Sequence, residues 1–225
     1  MIFFGLAVMQ ASTLAAYLQP PEVAGGYGFS SLQLAFFTMT AWVGIGCAEV
    51  CGFLANDKVP LWVARRRGGQ WHPEYRLANA IIPSFTLPIG LGLWGAGLQY
   101  HLHYMVLALA SFIIWFSALL ALPVCCNYVV ECFVQYPIEC SVSINFYRVV
   151  FGLITVFITT QWDNAVGIGW VWGMGAFFIL FVDIIMIGMV LKGHVVREYT
   201  AKMNKSFIDS EDGAVLNVKA DDASA

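Results

Sequence analysis

Six long apolar segments follow one another through this chain, each about the length needed to cross a lipid bilayer. A spanning helix needs roughly 20 mostly apolar residues, because about 30 Å of hydrocarbon is crossed at about 1.5 Å per residue. The segments are continuous and rich in Leu, Ile, Phe and Gly, so they predict helices rather than the alternating strands of a membrane barrel. They are Ile2–Leu18, Ser30–Ala55, Ala78–Gln99, His103–Val134 with a break at Pro123, Ile138–Gln161 and Val166–Leu191.

The composition excludes a soluble domain. Hydrophobic residues make up 60% and charged residues 11% of the chain, and its mean hydropathy is +0.74. Soluble domains carry roughly 45–50% apolar and about 25% charged residues, so these charges are too few to cover a water-facing surface. The same numbers exclude a disordered chain, a coiled coil and collagen. We predict an all-α integral membrane protein, with a six-helix domain over residues 1–199 and a disordered cytoplasmic tail over residues 200–225.

Basic residues lie on one side of the predicted membrane. The connections after the first, third and fifth helices contain none, whereas the loop after the second helix and the tail after the sixth carry ten. Because Lys and Arg accumulate on the cytoplasmic side, we predict that both termini and the Asn56–Leu77 loop are cytoplasmic. The ten are Lys58, Arg65, Arg66, Arg67 and Arg76 in that loop, and Lys192, Arg197, Lys202, Lys205 and Lys219 after the sixth helix.

Ionisable residues within or beside the spans are the informative ones, because each costs several kcal/mol unless it is paired or solvated. The fifth helix carries a polar stripe at spacings of three and four residues. This stripe predicts either the lining or gate of an aqueous path or close helix packing, and its guanidinium favours a solvated or ion-paired face. The ionisable residues are Glu49, Glu131, Glu139, Arg148 and Asp183. The stripe is Ser141, Asn145, Arg148, Gly152, Thr155 and Thr159.

Arg148 needs a partner that the sequence can only narrow down. Glu139 is nine residues away, about 13.5 Å along a straight helix, so the two cannot pair within that helix. We expect the partner to be Glu131, Glu49 or a group on another part of the assembly. Asp183 in the sixth helix predicts a structural pair or a snorkelling side chain, without an assigned function.

Two patterns in the second helix indicate packing. Gly44, Ala48 and Gly52 form a ridge of small residues four apart, which predicts close approach of another helix. Cys47 and Cys51 lie one turn apart, but a zinc site needs three or four ligands, so we interpret them as packing residues. The sequence predicts no metal and no cofactor.

Three groups of residues, in order, resemble one family. The cytoplasmic loop runs from Gly52 through Asn56-Asp57 and Arg65-Arg66-Arg67 to Pro73-Glu74-Tyr75-Arg76-Leu77. Upstream lies Tyr27-Gly28-Phe29-Ser30-Ser31-Leu32-Gln33, and downstream lie Tyr128-Val129-Val130-Glu131, Glu139 and Asn145-x-x-Arg148. Their order is similar to helices eight to eleven of the major facilitator superfamily, in particular its fungal drug:proton antiporter branch. The resemblance covers about residues 4–199.

The resemblance implies a fold, a function and a set of site residues. The fold is the C-terminal six-helix half of a twelve-helix transporter, and the function is transport of a small solute, coupled to protons. Asn56 stands where the family has its acidic loop residue, so the role of Asp57 carries over only in part, and a solvated basic loop is the alternative. The implied gating residues are Asp57, Arg65, Arg66, Arg67 and Arg148. The implied substrate- or proton-coupling residues are Glu49, Tyr128, Glu131, Glu139 and Asn145.

The resemblance also bears on partners and location. Because only one half matches, we expect a fragment or truncated product of a longer transporter, or a half that pairs with a second six-helix chain. The expected partners are the lipid bilayer, a small-molecule substrate, a proton and the missing half, and the expected location is the plasma membrane. Nothing predicts nucleic-acid binding, and no nucleophile–base set predicts an enzyme. A six-helix scaffold or receptor without transport activity is the alternative.

Overall fold

A computed structural model describes residues 2–21, 25–56, 58–66, 73–132 and 136–188. These residues form helices and connections, with no strand among them, as expected of an all-α membrane protein. The α-helices are α1 Ile2–Leu18, α2 Ser31–Ala55, α3 Lys58–Arg66, α4 Ile81–Gln99, α5 Tyr104–Cys132, α6 Pro137–Val166 and α7 Ile168–Gly188. A 3₁₀-helix, Pro73–Ala80, precedes α4.

The predicted spans correspond to α1, α2, α4, α5, α6 and α7. Within the described chain, five of these are long and apolar enough to cross a membrane, whereas α1 is apolar but has 17 residues. Ser30 caps the N-terminus of α2. Its hydroxyl accepts a hydrogen bond from the backbone N–H of Gln33, and the side-chain carbonyl oxygen of Gln33 accepts one from the backbone N–H of Ser30. Gly167 separates α6 from α7 at a φ of 92°, a backbone conformation that side chains disfavour.

The sequence predicted that a proline breaks a helix, but the helices continue through their internal prolines. The break expected at Pro123 is absent, since α5 runs through it to Cys132, and α4 likewise runs through Pro88. Pro83 lies in the first turn of α4, where its missing amide hydrogen would have no partner in any case. A proline removes only one hydrogen bond from a long helix, and packing against neighbouring helices compensates.

Helix α5 lies at the centre of the bundle. Its buried side chains recur every three or four residues, from Leu107 through Ile114 to Tyr128, and α1, α2, α4 and α6 all pack on it. Helix α4 contacts α5 through Gly90, where an added Cβ would lie 2.9 Å from Ile113. The ridge predicted on α2 contacts the same helix, because Gly44 and Ala48 are buried against it. That prediction of close packing is confirmed.

Helix α7 closes the bundle against α4 and α1. Trp94 of α4 and Trp172 of α7 are fully buried, with ring centroids 6.2 Å apart in an edge-to-face arrangement. An added Cβ at Gly95 would lie 2.7 Å from the Trp172 side chain, and Gly175 faces Leu6 of α1. Small residues therefore let α7 approach both neighbours closely.

The outward faces of α2 and α6 are apolar and exposed. On α6 this exposed set is Val142, Phe146, Val149, Leu153 and Phe157, each at least 58% exposed. Val142, Phe146, Val149 and Leu153 each directly follow a residue of the polar stripe, so this apolar set lies about 100° around the helix from that stripe. Such a surface suits contact with lipid tails, in which apolar side chains carry no cost.

Candidate functional site

An ion pair joins the 3₁₀-helix to the C-terminal end of α5. Nε of Arg76, in the 3₁₀-helix Pro73–Ala80, donates to Oε1 of Glu131, in the last turn of α5, at 2.5 Å. The two side chains are 20% and 27% exposed, so the pair is shielded from water on most sides. The second oxygen of Glu131 is buried and accepts no hydrogen bond from the described residues. Charge-assisted bonds of this kind are about twice as strong as neutral ones.

This pair changes the choice of partner for Arg148. Glu131 was one of three expected partners, but in the structure it bonds to Arg76. Glu49 is exposed on α2 and forms no ion pair with the described residues. The Arg148 guanidinium instead lies 4.6 Å from the centre of the Phe4 ring on α1, and its Nε has no hydrogen-bond partner in the described part of the chain. A cation–π contact offsets only part of the cost of desolvating this charge.

The polar stripe of α6 divides into two parts. Toward its C-terminal end, Gly152 faces Val8 of α1, and Thr159 is buried with its hydroxyl bonded to its own helix backbone. Toward its N-terminal end, Ser141 and Asn145 are exposed and also bond to backbone carbonyls of their own helix. The first part packs, and the second part leaves a polar, accessible face beside Arg148.

The remaining predicted residues do not converge on one point. Arg65 and Arg66 are exposed at the end of α3, where the Arg66 guanidinium lies 4.0 Å from the Trp62 ring centre. Glu139 is exposed in the first turn of α6, where the positive end of the helix dipole stabilises a negative charge. Tyr128 is buried one turn before the Arg76–Glu131 pair on α5. Asp57 and Arg67 lie outside the described residues, so the gating role expected of them stays a prediction.

A buried polar network between α1 and α5 was missed from the sequence. The Trp115 indole donates to Oε1 of Gln10 at 3.0 Å, and the Gln10 amide nitrogen lies 3.4 Å from the Ser111 hydroxyl. Gln10 is 1% exposed. The available signal was a single amide in a span whose other polar residues before Tyr17 are Ser12 and Thr13, whereas the predicted site rested mainly on charged residues. Buried side-chain amides of this type join two helices through hydrogen bonds or contact a solute.

A second link joins α1 to the far end of α6. The Tyr17 hydroxyl donates to the carboxylate of Asp163, which lies beyond the apolar stretch Pro137–Thr159. Burial raises the pKa of Asp163 above its ordinary value, and the Tyr17 hydrogen bond opposes this shift. The sequence placed Asp163 in a short connection, because it ended the fifth span at Gln161, whereas α6 continues to Val166.

An apolar cavity of about 660 Å³ lies between α1, α6 and α7. Leu6, Met9, Phe151, Trp162 and Phe178 are among its lining residues. The cavity surface is almost wholly apolar, and the two threonines that border it donate their hydroxyl protons within α6.

The sequence of this chain is similar to those of known transporters. Over 164 residues the chain is 29% identical to an MFS-type transporter of Stereocaulon alpinum, covering 71% of this chain and 29% of that protein. The chain is a relative of fungal transporters of the major facilitator superfamily. An MFS-type transporter of Schizosaccharomyces pombe is 25% identical over 206 residues, which cover 89% of this chain and 35% of the relative.

A further relative is named as an efflux pump. An efflux pump of Gibberella fujikuroi is 27% identical over 133 residues, which cover 59% of this chain and 23% of the pump. The chain thus spans about a third or less of the length of these relatives. No family model and no solved structure matches it.

Proposed function

We propose that this chain forms a six-helix half of a secondary transporter that moves a small solute across the plasma membrane, coupled to protons. The observation that carries the proposal is its similarity to fungal MFS-type transporters and an efflux pump over 59–89% of the chain. A second six-helix half, from the same polypeptide or from another chain, completes the path. Substrate sites in this superfamily lie between two such halves.

The Arg76–Glu131 pair is the proposed cytoplasmic gate contact. It fixes the 3₁₀-helix Pro73–Ala80 to the end of α5, and that 3₁₀-helix also contacts α3. Breaking the pair would free the connection between α2 and α4 to move relative to α5. Asp57, Arg65, Arg66 and Arg67 are further gating residues in this proposal.

Solute and proton contacts are proposed on the polar, accessible side of the half. Asn145 and Arg148 lie there on α6, and Glu139 lies at the entrance to the same helix. Glu49 on α2 is a second exposed carboxylate for proton transfer, and buried Tyr128 positions the gate from within α5.

Transport is tested with a fusion to a related first half. The full chain is joined behind the N-terminal half of the Stereocaulon alpinum transporter, and retention of a panel of radiolabelled solutes is measured in yeast lacking its own efflux pumps. The chain without a partner half is the matched control. Export by the fusion alone supports the proposal. If both proteins insert and neither lowers retention of any solute, the chain is a membrane scaffold or receptor instead.

The orientation gives a prediction that labelling can check. On a background with all six cysteines replaced, a thiol at Asn164 should react with a membrane-impermeant maleimide from outside, because Asn164 is exposed near the C-terminal end of α6. A thiol at Lys58, exposed at the start of α3, should react only after the membrane is permeabilised. Labelling of the Lys58 thiol from outside would show that the topology is the inverse of the predicted one.

Arg148 gives a second prediction. Arg148→Lys keeps the charge but loses the planar fork, so transport by the fusion should fall about tenfold while membrane insertion is unchanged. Phe4→Leu is the matched control, because it removes the ring beneath the guanidinium and leaves the charge in place. Normal transport by Arg148→Ala would assign Arg148 to packing and remove it from the gate.

A further inference from the structure

Asp183 is a buried carboxylate that none of the contacts above uses. It lies fifteen residues after the start of α7, about 22 Å along the helix axis, and therefore within the roughly 30 Å of hydrocarbon. Its side chain is 5% exposed. Neither of its oxygens accepts a hydrogen bond from the described residues.

The surroundings of Asp183 contain no compensating charge among the described residues. Its polar neighbour is Ser84 of α4, whose hydroxyl donates to the Ala80 carbonyl oxygen at 2.8 Å. Helices α4 and α7 carry no other Asp or Glu and no Lys, Arg, His, Tyr or Cys. On α1, which also packs against α7, Tyr17 is the titratable residue, and it bonds to Asp163 at the opposite end.

We propose that Asp183 is a proton-binding site inside the membrane and holds a neutral carboxylic acid when the bundle is closed. An ionised carboxylate without a donor or a cation is far costlier to bury than the protonated acid. The proton comes from water and bonds to one carboxylate oxygen. The new O–H donates to Ser84 Oγ, which still has free lone pairs because it only donates to Ala80.

Exchange of this proton requires that α4 and α7 separate or that water enters between them. Trp94 and Trp172 seal the same interface further along, and both are fully buried. A transporter that opens this interface in one state would take up and release one proton per cycle. This coupling step rests on the proposed function, whereas the protonation state does not.

Infrared spectroscopy of the full chain in lipid nanodiscs at pH 7 tests the inference. The spectrum of the wild type minus that of Asp183→Asn should show one carboxylic-acid C=O band, which shifts in D₂O. Glu139→Gln is the matched control, since Glu139 is exposed, and its difference spectrum should not contain the band assigned to Asp183. Carboxylate bands lost in Asp183→Asn would overturn the inference and indicate a cationic partner outside the described residues.

A second variant keeps Asp183 and guards against misfolding of Asp183→Asn. Ser84→Ala removes the acceptor of the proposed O–H, so the carboxylic-acid band should change frequency. An unchanged spectrum in that region contradicts the proposal. Because these spectra require no transport, an acid band in a protein that moves no solute would separate failure of the proposed function from failure of this inference.

Discussion

Gly44→Ala is expected to force α2 and α5 apart and destabilise the bundle. A Cβ at Gly44 would lie 2.7 Å from the Phe112 carbonyl oxygen and 3.3 Å from the Phe116 amide nitrogen. Both are backbone atoms of α5, so no side-chain rotation relieves the clash. Overpacking of this kind costs about 1–3 kcal/mol. The measurement is the midpoint of thermal unfolding in detergent.

Two glycines of the same helix serve as controls for this prediction. A Cβ at Gly46 would meet no neighbouring helix within 4 Å, and the residue is exposed. Gly46→Ala should therefore leave the midpoint unchanged or raise it slightly through helix propensity. Gly52 meets only a Leu120 methyl group at 3.9 Å, and Gly52→Ala should be tolerated. Equal losses at Gly44 and Gly46 would show that the α2–α5 contact does not determine stability.

The sequence predicted the features of this fold that depend on neighbouring residues. Span limits follow from local hydropathy, and Ser30–Ala55 was predicted where α2 runs over Ser31–Ala55. The ridge of Gly44 and Ala48 was found because four-residue spacing defines a helix face.

The hydrogen-bonded side-chain pairs depend on which parts of the helices lie next to each other in the fold. The local sequence does not specify these long-range contacts. Glu131 bonds to Arg76, 55 residues away, because the 3₁₀-helix brings the loop back to α5. Gln10 meets Trp115 across 105 residues. The break predicted at Pro123 was wrong for a related reason, since contacts with neighbouring helices decide whether a proline interrupts a long helix.

Breaking the Arg76–Glu131 pair is expected to have the second large effect. Arg76→Ala removes the hydrogen bond to Oε1 of Glu131, whose other oxygen has no partner among the described residues. The variant therefore leaves a mostly shielded carboxylate without this donor. Loss of a hydrogen bond between charged groups costs about 1.5–3 kcal/mol, which corresponds to about a 10- to 150-fold shift in the closed–open equilibrium of the proposed gate. Lys58→Ala is the control, because Lys58 has the same charge, is exposed at the start of α3 and belongs to no part of the proposed gate. It should change neither stability nor transport measurably.

A double-mutant cycle isolates the pair from the other interactions of Arg76, which makes more than this one contact. Arg76→Ala, Glu131→Ala and the double variant are compared by unfolding midpoint and by solute export of the fusion. If the ion pair carries the effect, the second substitution adds little once the first is present, and the coupling energy exceeds about 1 kcal/mol. The exchange of both residues, Arg76→Glu with Glu131→Arg, should then recover part of the export that each single substitution loses. Additive losses, with no recovery in the exchanged protein, would mean that each residue acts through its own separate contacts and that the pair does not close the cytoplasmic end.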